Sequence, residues 1–452
     1  MKNDMTNDMT KGNPVKLILL FSIPLLIGNV FQQFYSMVDT IIVGRFVGVD
    51  ALAAVGSTGS MVFLVNGFAT GLTSGFAVLV SQKFGAKDEK GLRKATASAI
   101  TLTVISVIVA TIVSLLGAKP LLKLMNTPEN IMGDAYIYVK IIYGGIIATV
   151  AYNFIASILR ALGDSKTPLY FLIVSSVLNV ILDLVFIINF KMGVAGAAYA
   201  TIISQGVSAI LCLIYTYKRF TILRLKKEDF NVKRRYYHKH LKIGIPMALQ
   251  FSITSIGIMT VQGALNVFGS TVIASYTAAS KALQLVMQPA ITFGVTMATY
   301  CGQNLGAKEY GRIKEGVKEC TKISIITSII AGAVLMFLGK YFVMMFISNP
   351  DAEVLKYAQQ VLDISAIFFI PLGLIFIYRN ALQGIGDSFV PMMAGAYELI
   401  ARALVAFALP KYLGFIGICL ADPVAWFAAS IPLGITYFRR IRSLLKHGNI
   451  KV

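Results

Sequence analysis

The sequence predicts an all-α polytopic membrane protein: twelve transmembrane helices in two six-helix lobes related by a parallel internal repeat. Three observations carry that prediction. The 452 residues are 56% hydrophobic and only 14% charged, with a mean hydropathy of +0.74, more apolar surface than a water-soluble core can hide. Mostly apolar runs of about 20 residues, the length that crosses a bilayer, recur along the whole chain. Short motifs of the first half return in the second at a nearly constant shift.

Taken in order, the expected spans are 15–43, 51–80, 95–117, 132–160, 168–190 and 194–217, followed by 241–267, 272–302, 316–339, 354–382, 391–411 and 415–438. Twelve crossings return both termini to one side. The opening Met1 to Pro14 is polar and has no apolar run ending in small residues, so no cleaved signal is expected and the N-terminus stays in the cytoplasm. On that orientation the interior segments hold Lys83, Lys87, Lys90, Arg93 and Lys94, the stretch from Lys218 to Lys242, then Lys308, Arg312, Lys314 and Lys318, and finally Arg439, Arg440, Arg442 and Lys446. About thirty of the 41 Lys and Arg fall inside and about six outside, as the positive-inside rule requires. The expected location is the cell (inner) membrane, multi-pass, with both termini cytoplasmic and membrane lipids as partners.

The net charge of +20 is therefore read as topology. Its basic residues sit in short segments between apolar runs, without the interleaved aromatics of a nucleic-acid surface, so no nucleic acid is expected. No obligatory protein partner is evident either. Cys212, Cys301, Cys320 and Cys419 lie far apart in apolar contexts, which argues against disulfides and structural zinc.

The repeat rests on five anchors. Ser22-Ile23-Pro24 matches Gly244-Ile245-Pro246, Gln82 to Lys87 matches Gln303 to Lys308, and Pro128 matches Pro350. Gly163-Asp164-Ser165 with Pro168 matches Gly386-Asp387-Ser388 with Pro391, and Gly193 and Gly196 match Gly414 and Gly417, all at shifts of 221 to 223. Both copies start on the same side, so the repeat is parallel, about an axis along the membrane normal. The expected division is 1–217 for the first lobe, which carries ion coupling, 218–240 for a basic linker lying on anionic lipid, and 241–452 for the second lobe.

Carboxylates inside spans are costly and mark function unless paired. On the first span Gln32, Tyr35, Ser36 and Asp39 form one polar face; on the fifth Ser176, Asn179 and Asp183 repeat the spacing, and on the sixth Thr201, Ser204, Gln205 and Ser208 do so again. At 1.5 Å per residue, Asp39, Asp183 and Thr201 each fall roughly 10 Å or less from the outer ends of their spans, close enough in depth to meet. Two carboxylates, an amide oxygen and a hydroxyl suit a hard cation or a proton, so Asp39, Asn179, Asp183 and Thr201 are the expected coupling site for a proton or sodium. The hydroxyls alone are read as helix-to-helix hydrogen bonds. Pro24, one turn before Gly28, is the expected hinge of the first helix.

The second half is polar in other places: Gln250, Thr254, Gln262 and Asn266, then Ser280, Lys281, Gln284 and Gln288. Its acidic groups in the spans are Asp363, Glu398 and Asp422, with Glu398 and Arg402 spaced i,i+4 and expected to neutralise each other. Lys281 has two open readings, snorkelling outward or facing a cavity. His238, His240 and His447 lie in basic segments and are expected to be solvated. No P-loop occurs, no cofactor is called for, and no enzyme motif is found within the spans. Active transport would then draw on an ion gradient.

At this point the chain resembles the multidrug and toxic compound extrusion (MATE) transporters over essentially its whole length. The resemblance rests on Val38-Asp39-Thr40-Ile41 with Gly44, the paired Gly-Ala-Lys loops and the Gly-Asp-Ser…Pro loop of each half. It implies two six-helix lobes around a cavity and export of cationic amphipathic compounds in exchange for protons or sodium. The DinF-like branch looks closest, and its motif maps onto Asp39, Asn179, Asp183 and Thr201, with Tyr138 and Asn153 nearby. Gln32, Tyr35, Ser36, Tyr138, Asn153, Gln250 and Gln284 are the expected cavity residues. Another branch carries an acidic residue on its seventh span where this chain has Gln250. The alternatives are a lipid-linked oligosaccharide flippase of the same superfamily, which would want a strongly basic cavity where only Lys281 and Arg402 are counted as deep cations, and a membrane-embedded enzyme or passive channel.

Overall fold

The computed structural model describes residues 8–125, 127–347 and 351–448; Pro350, one of the repeat anchors, lies outside the described residues. The chain is built from helices: α1 (Pro14–Phe46), α2 (Val49–Gly85), α3 (Glu89–Leu124), α4 (Glu129–Gly144), α5 (Ile146–Ala161), α6 (Lys166–Leu184) and α7 (Gly193–Arg219). Then come α8 (Arg234–Leu265), α9 (Ser270–Val286), α10 (Gln288–Gly306), α11 (Tyr310–Met344), α12 (Ala352–Ile367), α13 (Phe369–Gly384) and α14 (Phe389–Ala408). Two short helices, α15 (Pro410–Leu413) and α16 (Phe415–Cys419), lead into α17 (Ala421–Gly448).

Among the described residues nine helices are long and apolar enough to cross a membrane, and two bent pairs, α4 with α5 and α12 with α13, reach that length and composition when each is taken as one span. The expected span 272–302 falls on the pair α9 and α10. Three expected spans, 132–160, 272–302 and 354–382, are therefore interrupted helices. The bends are 47° after Gly144 and 55° after Ile367. The break at Met287 precedes Pro289, which has no N–H to give to the helix ladder.

Loop chemistry sets several starts. Asp88 caps α3 by accepting the Gly91 N–H at 2.8 Å, and Asp164 accepts the Lys166 and Thr167 N–H groups, each at 3.0 Å, to open α6. The repeat is visible in the backbone as well. Left-handed φ angles recur in pairs: Gly48 and Gly269 at 125° and 85°, Lys87 and Lys308 at 55° and 63°, Gly163 and Gly386 at 84° and 90°, Gly193 and Gly414 at 57° and 58°. Non-glycine residues seldom adopt such angles, so two lysines sharing one at the same place in each copy mark a common loop geometry.

Two compact units result, and their boundaries fall inside helices. Ile23–Ser252 forms the body of the first unit; Met9–Ser22 together with the chain from Ile253 onward forms the second. Helix α1 thus begins in the second unit and ends in the first, and α8 does the reverse.

In the first unit α2 packs on α3, α4 and α5, while α7 packs on α4, α5 and α6. Fully buried Phe76, Leu92, Leu159 and Leu162 lie at its centre. The start of α8 lies close against α2: a Cβ on Gly75 would stand 2.5 Å from the Gly244 Cα. The segment expected as a separate linker is bound into this unit, with Phe220 and Ile222 buried in its core. His240 is a correction: it is fully buried, its Nε2 3.0 Å from the Ala95 carbonyl and its ring edge-on to Phe76. His238 is exposed, as expected.

In the second unit α10 packs on α11 and α13, α14 and α13 on α17, and α12 on α9 and α11. The N-terminal strap is held by this unit's own donors and acceptors. The Met9 N–H donates to Gln303 Oε1 at 2.9 Å, the Met9 carbonyl accepts from Asn304 Nδ2 at 3.2 Å, and the Gly12 carbonyl accepts from Arg312 at 3.0 Å. Ser22 and Thr296 join hydroxyls at 2.7 Å.

Candidate functional site

Helix geometry brings the polar residues of the first unit onto facing turns. Tyr35 and Asp39 lie one turn apart on α1, Asn179 and Asp183 on α6, Thr201 and Gln205 on α7, and Tyr138 projects from α4. Asp183 is fully buried, and Asn179, Tyr138 and Gln205 are nearly so; Asp39 and Tyr35 are half-buried.

The carboxyls of Asp39 and Asp183 are direct neighbours. Tyr35 lies within electrostatic reach of both and within hydrogen-bonding reach of Gln205, and Tyr138 faces the same three groups, Asp39, Asp183 and Tyr35. Neither Asp183 oxygen nor Asp39 Oδ1 meets a donor, and the Asn179 amide and Gln205 Oε1 are likewise without partners. Two ionised carboxylates have only acceptors to offer each other, and no ion pair among the described residues involves either. Two neighbouring carboxyls of this kind can share one proton or hold a cation between their oxygens.

The hydroxyls play another part. Thr201 donates to the Ala197 carbonyl at 3.0 Å, Ser176 to Leu172 at 2.8 Å, Ser204 to Thr201 at 2.9 Å and Ser208 across to the Phe171 carbonyl at 2.9 Å. Their protons are committed to backbone, and Thr201 keeps its oxygen lone pairs one turn from Gln205. Asn153 is half-buried on α5, next to Tyr152, whose hydroxyl donates to the Pro168 carbonyl at 2.7 Å. Gln32 and Ser36 are exposed on α1. Gln250 is buried on α8 within the first unit, whereas Gln284 is exposed on α9 in the second. Pro24 sits within an unbroken α1, two residues past the point where that helix changes unit. Gln205, on the polar stripe of α7, joins the cluster as well; the sequence signal for it is its i,i+4 spacing from Thr201.

The charges of the second unit pair differently from the i,i+4 expectation. Glu398 binds Arg379 of α13, and Arg402 donates to Asp422 of α17 at 2.7 Å. Tyr276 of α9 adds a donor to Asp422 at 3.3 Å. Arg379, which the sequence reading passed over, is a second buried cation of this unit beside Arg402. Gly257 leaves room for the Arg402 guanidinium, since a Cβ there would collide with it. Lys281 is exposed, its Nζ 5.7 Å from the Phe346 ring centroid.

The MatE family profile matches residues 24–185 and 246–408, one stretch in each half. The chain belongs to the MATE family. It is similar to the probable multidrug resistance protein YpnP of Bacillus subtilis (strain 168), 33% identical over 384 residues and 84% of each chain. The probable multidrug resistance protein YoeA of the same organism is 30% identical over 451 residues, covering 96% of each. An outward-facing structure of a multidrug resistance MATE family transporter shares the fold, with a TM-score of 0.92 at 24% identity over 98% of this chain and 99% of that one. This MATE chain is a multi-pass membrane transporter with twelve helices in two six-helix lobes, not an enzyme.

Proposed function

We propose that the protein is a cation-coupled multidrug antiporter, exporting amphipathic organic cations in exchange for protons or sodium. The observation that carries this reading is the juxtaposition of Asp39 and Asp183 with no basic side chain paired to either. Ionised together, the two carboxylates repel each other in a low-dielectric site. An entering proton turns the clash into a hydrogen bond; a sodium ion would sit among the oxygens of Asp39, Asn179, Asp183 and Thr201. The unpartnered oxygens of Asp39, Asp183 and Asn179 suit such an ion. Two carboxylates, with no cluster of three His, Cys, Asp or Glu among the described residues, suit a single positive charge.

Ion entry draws Asp39 of α1 toward Asp183 of α6. Pro24 removes one hydrogen bond from the α1 ladder, so bending there is the cheap way for α1 to follow. Tyr35 and Tyr138, beside the carboxylates, feel each change of charge and connect ion occupancy with cargo binding. Cationic cargo follows from the same residues, because an organic cation and the coupling ion compete for the same negative charge. The flippase reading loses ground: Arg379 and Arg402 are each paired to a carboxylate, and they leave no net positive field. Orientation with both termini in the cytoplasm belongs to the same proposal.

The test is efflux of a fluorescent organic cation from inverted vesicles, with the proton and sodium gradients collapsed separately. Wild-type transport should stop with one of them, and Asp39→Asn should not respond to either. Full gradient-driven efflux by Asp39→Asn would overturn the reading.

A further inference from the structure

Where the last turns of α2 meet the first turns of α8, the first unit forms an open cleft of about 230 Å³ lined by Leu79, Lys83, Arg235, Tyr236 and Lys239, with Arg235 and Lys239 exposed at its rim. Three of these side chains are cationic and none is acidic. Lys239 lies within electrostatic reach of Arg235 and Lys83, so like charges face each other across the space. Lys83 has a counter-ion, Asp88, at 2.6 Å. Arg235 and Lys239 take part in no ion pair among the described residues.

The matching corner of the second unit shows what donors in this position take when satisfied. Asn304 stands there in the place of Lys83 within the paired loops. Together with Arg312 it donates to main-chain oxygens of the N-terminal strap, at Met9 and Gly12. Acceptor oxygens close that corner from within the chain. In the first unit the donors are two lysines and an arginine bordering open space.

We propose that this cavity binds a phosphate-bearing group, namely the headgroup of an anionic phospholipid. A phosphodiester offers oxygens in several directions, matching an arginine fork and two ammonium groups better than a planar carboxylate would. Basic pockets between transmembrane helices hold anionic headgroups for this reason. The volume is several times the ~30 Å³ of one water, which leaves room for glycerol beside the phosphate, against Leu79 and the Tyr236 ring. Because α8 continues into the second unit, an occupied cavity would fix the start of a helix that both units share.

The experiment uses the full chain in phosphatidylcholine nanodiscs doped with phosphatidylglycerol, released for native mass spectrometry. Wild-type protein should retain phosphatidylglycerol in preference to phosphatidylcholine, and Arg235→Gln/Lys239→Gln should lower that preference about tenfold or more. Lys314→Gln/Lys318→Gln removes two exposed charges elsewhere and should leave it unchanged; thermal melting of each variant confirms folding. Equal retention of both lipids, or equal loss in the two double variants, would overturn the proposal. Inorganic phosphate and glycerol 3-phosphate are tested in parallel by thermal shift. Strong protection by either without lipid selectivity would reassign the cavity to a soluble ligand and overturn the lipid assignment.

Discussion

Asp39 and Asp183 face each other in the first unit with no cation beside them, while in the second unit Glu398 and Asp422 each hold an arginine, Arg379 and Arg402. The first cluster draws on α1, α6 and α7; the pairs of the second unit draw on α13, α14 and α17, of which α14 and α17 correspond to α6 and α7. At the positions matching Asp39 and Asp183 the second copy has Val261 and Val405, and at the place of Tyr35 it has Gly257, beneath the Arg402 guanidinium. Among the described residues, one copy pairs neither Asp39 nor Asp183 with a basic side chain, which the proposed function reads as an opening for a passing ion. The other holds Glu398 and Asp422 in ion pairs with Arg379 and Arg402, and a closed ion pair responds to little. On the function proposed above, the difference separates a coupling site from a structural one on a shared scaffold.

That separation can be broken or sharpened by mutation. The largest effect is expected on transport: Asp183→Asn should reduce gradient-driven efflux to background while leaving the unfolding midpoint in detergent unchanged or raised, because it removes a like charge that no donor satisfies. Equal destabilisation of the fold would erase the contrast. In the second unit the roles reverse. Glu398→Ala should cost about 3–5 kcal/mol by leaving Arg379 buried and unpaired, whereas Arg379→Met with Glu398→Met should recover most of that loss, both read from unfolding midpoints. Next comes the α2 and α8 contact: Gly75→Val should cost about 1–3 kcal/mol, since its Cβ would run into the Gly244 backbone.

The smallest effect lies outside the spans. Lys83, and then the Gly91 N–H, hold the Asp88 carboxyl below the usual carboxylate range. The folded form therefore prefers the ionised cap, and its contribution is full above about pH 4 and fades as pH falls through the lowered value. Asp88→Ala should cost about 1 kcal/mol at neutral pH, and the gap from wild type in thermal midpoint should narrow in acid.

Much of this was legible in the sequence because it is local or periodic. Apolar runs gave the spans, and the shift of 221 to 223 gave the repeat, which reappears in paired φ angles at Lys87 and Lys308. Helical spacing brought Asp39 and Asp183 to a common depth. What escaped depends on neighbours distant in sequence. Glu398 and Arg402 have the right spacing to pair, yet each finds a better-placed partner on an adjacent helix, and no local rule names that partner. His240 looked solvated because its flanks are basic, but the start of α8 lies against α2 and α3. Of the interrupted spans, 272–302 shows a visible signal at Pro289, and a proline in an apolar run need not break a helix in a membrane.

The passage of α1 and α8 between units also bears on how the chain is made. When residues 9–22 leave the ribosome, the segment from Ile253 that completes their unit does not yet exist, and the first unit cannot close until synthesis has reached Ser252. The halves cannot fold one after the other as finished modules. A chain severed in the stretch before α8 would yield two fragments, each carrying turns that belong to the other, so that stable protein should accumulate only when both are expressed in the same cell.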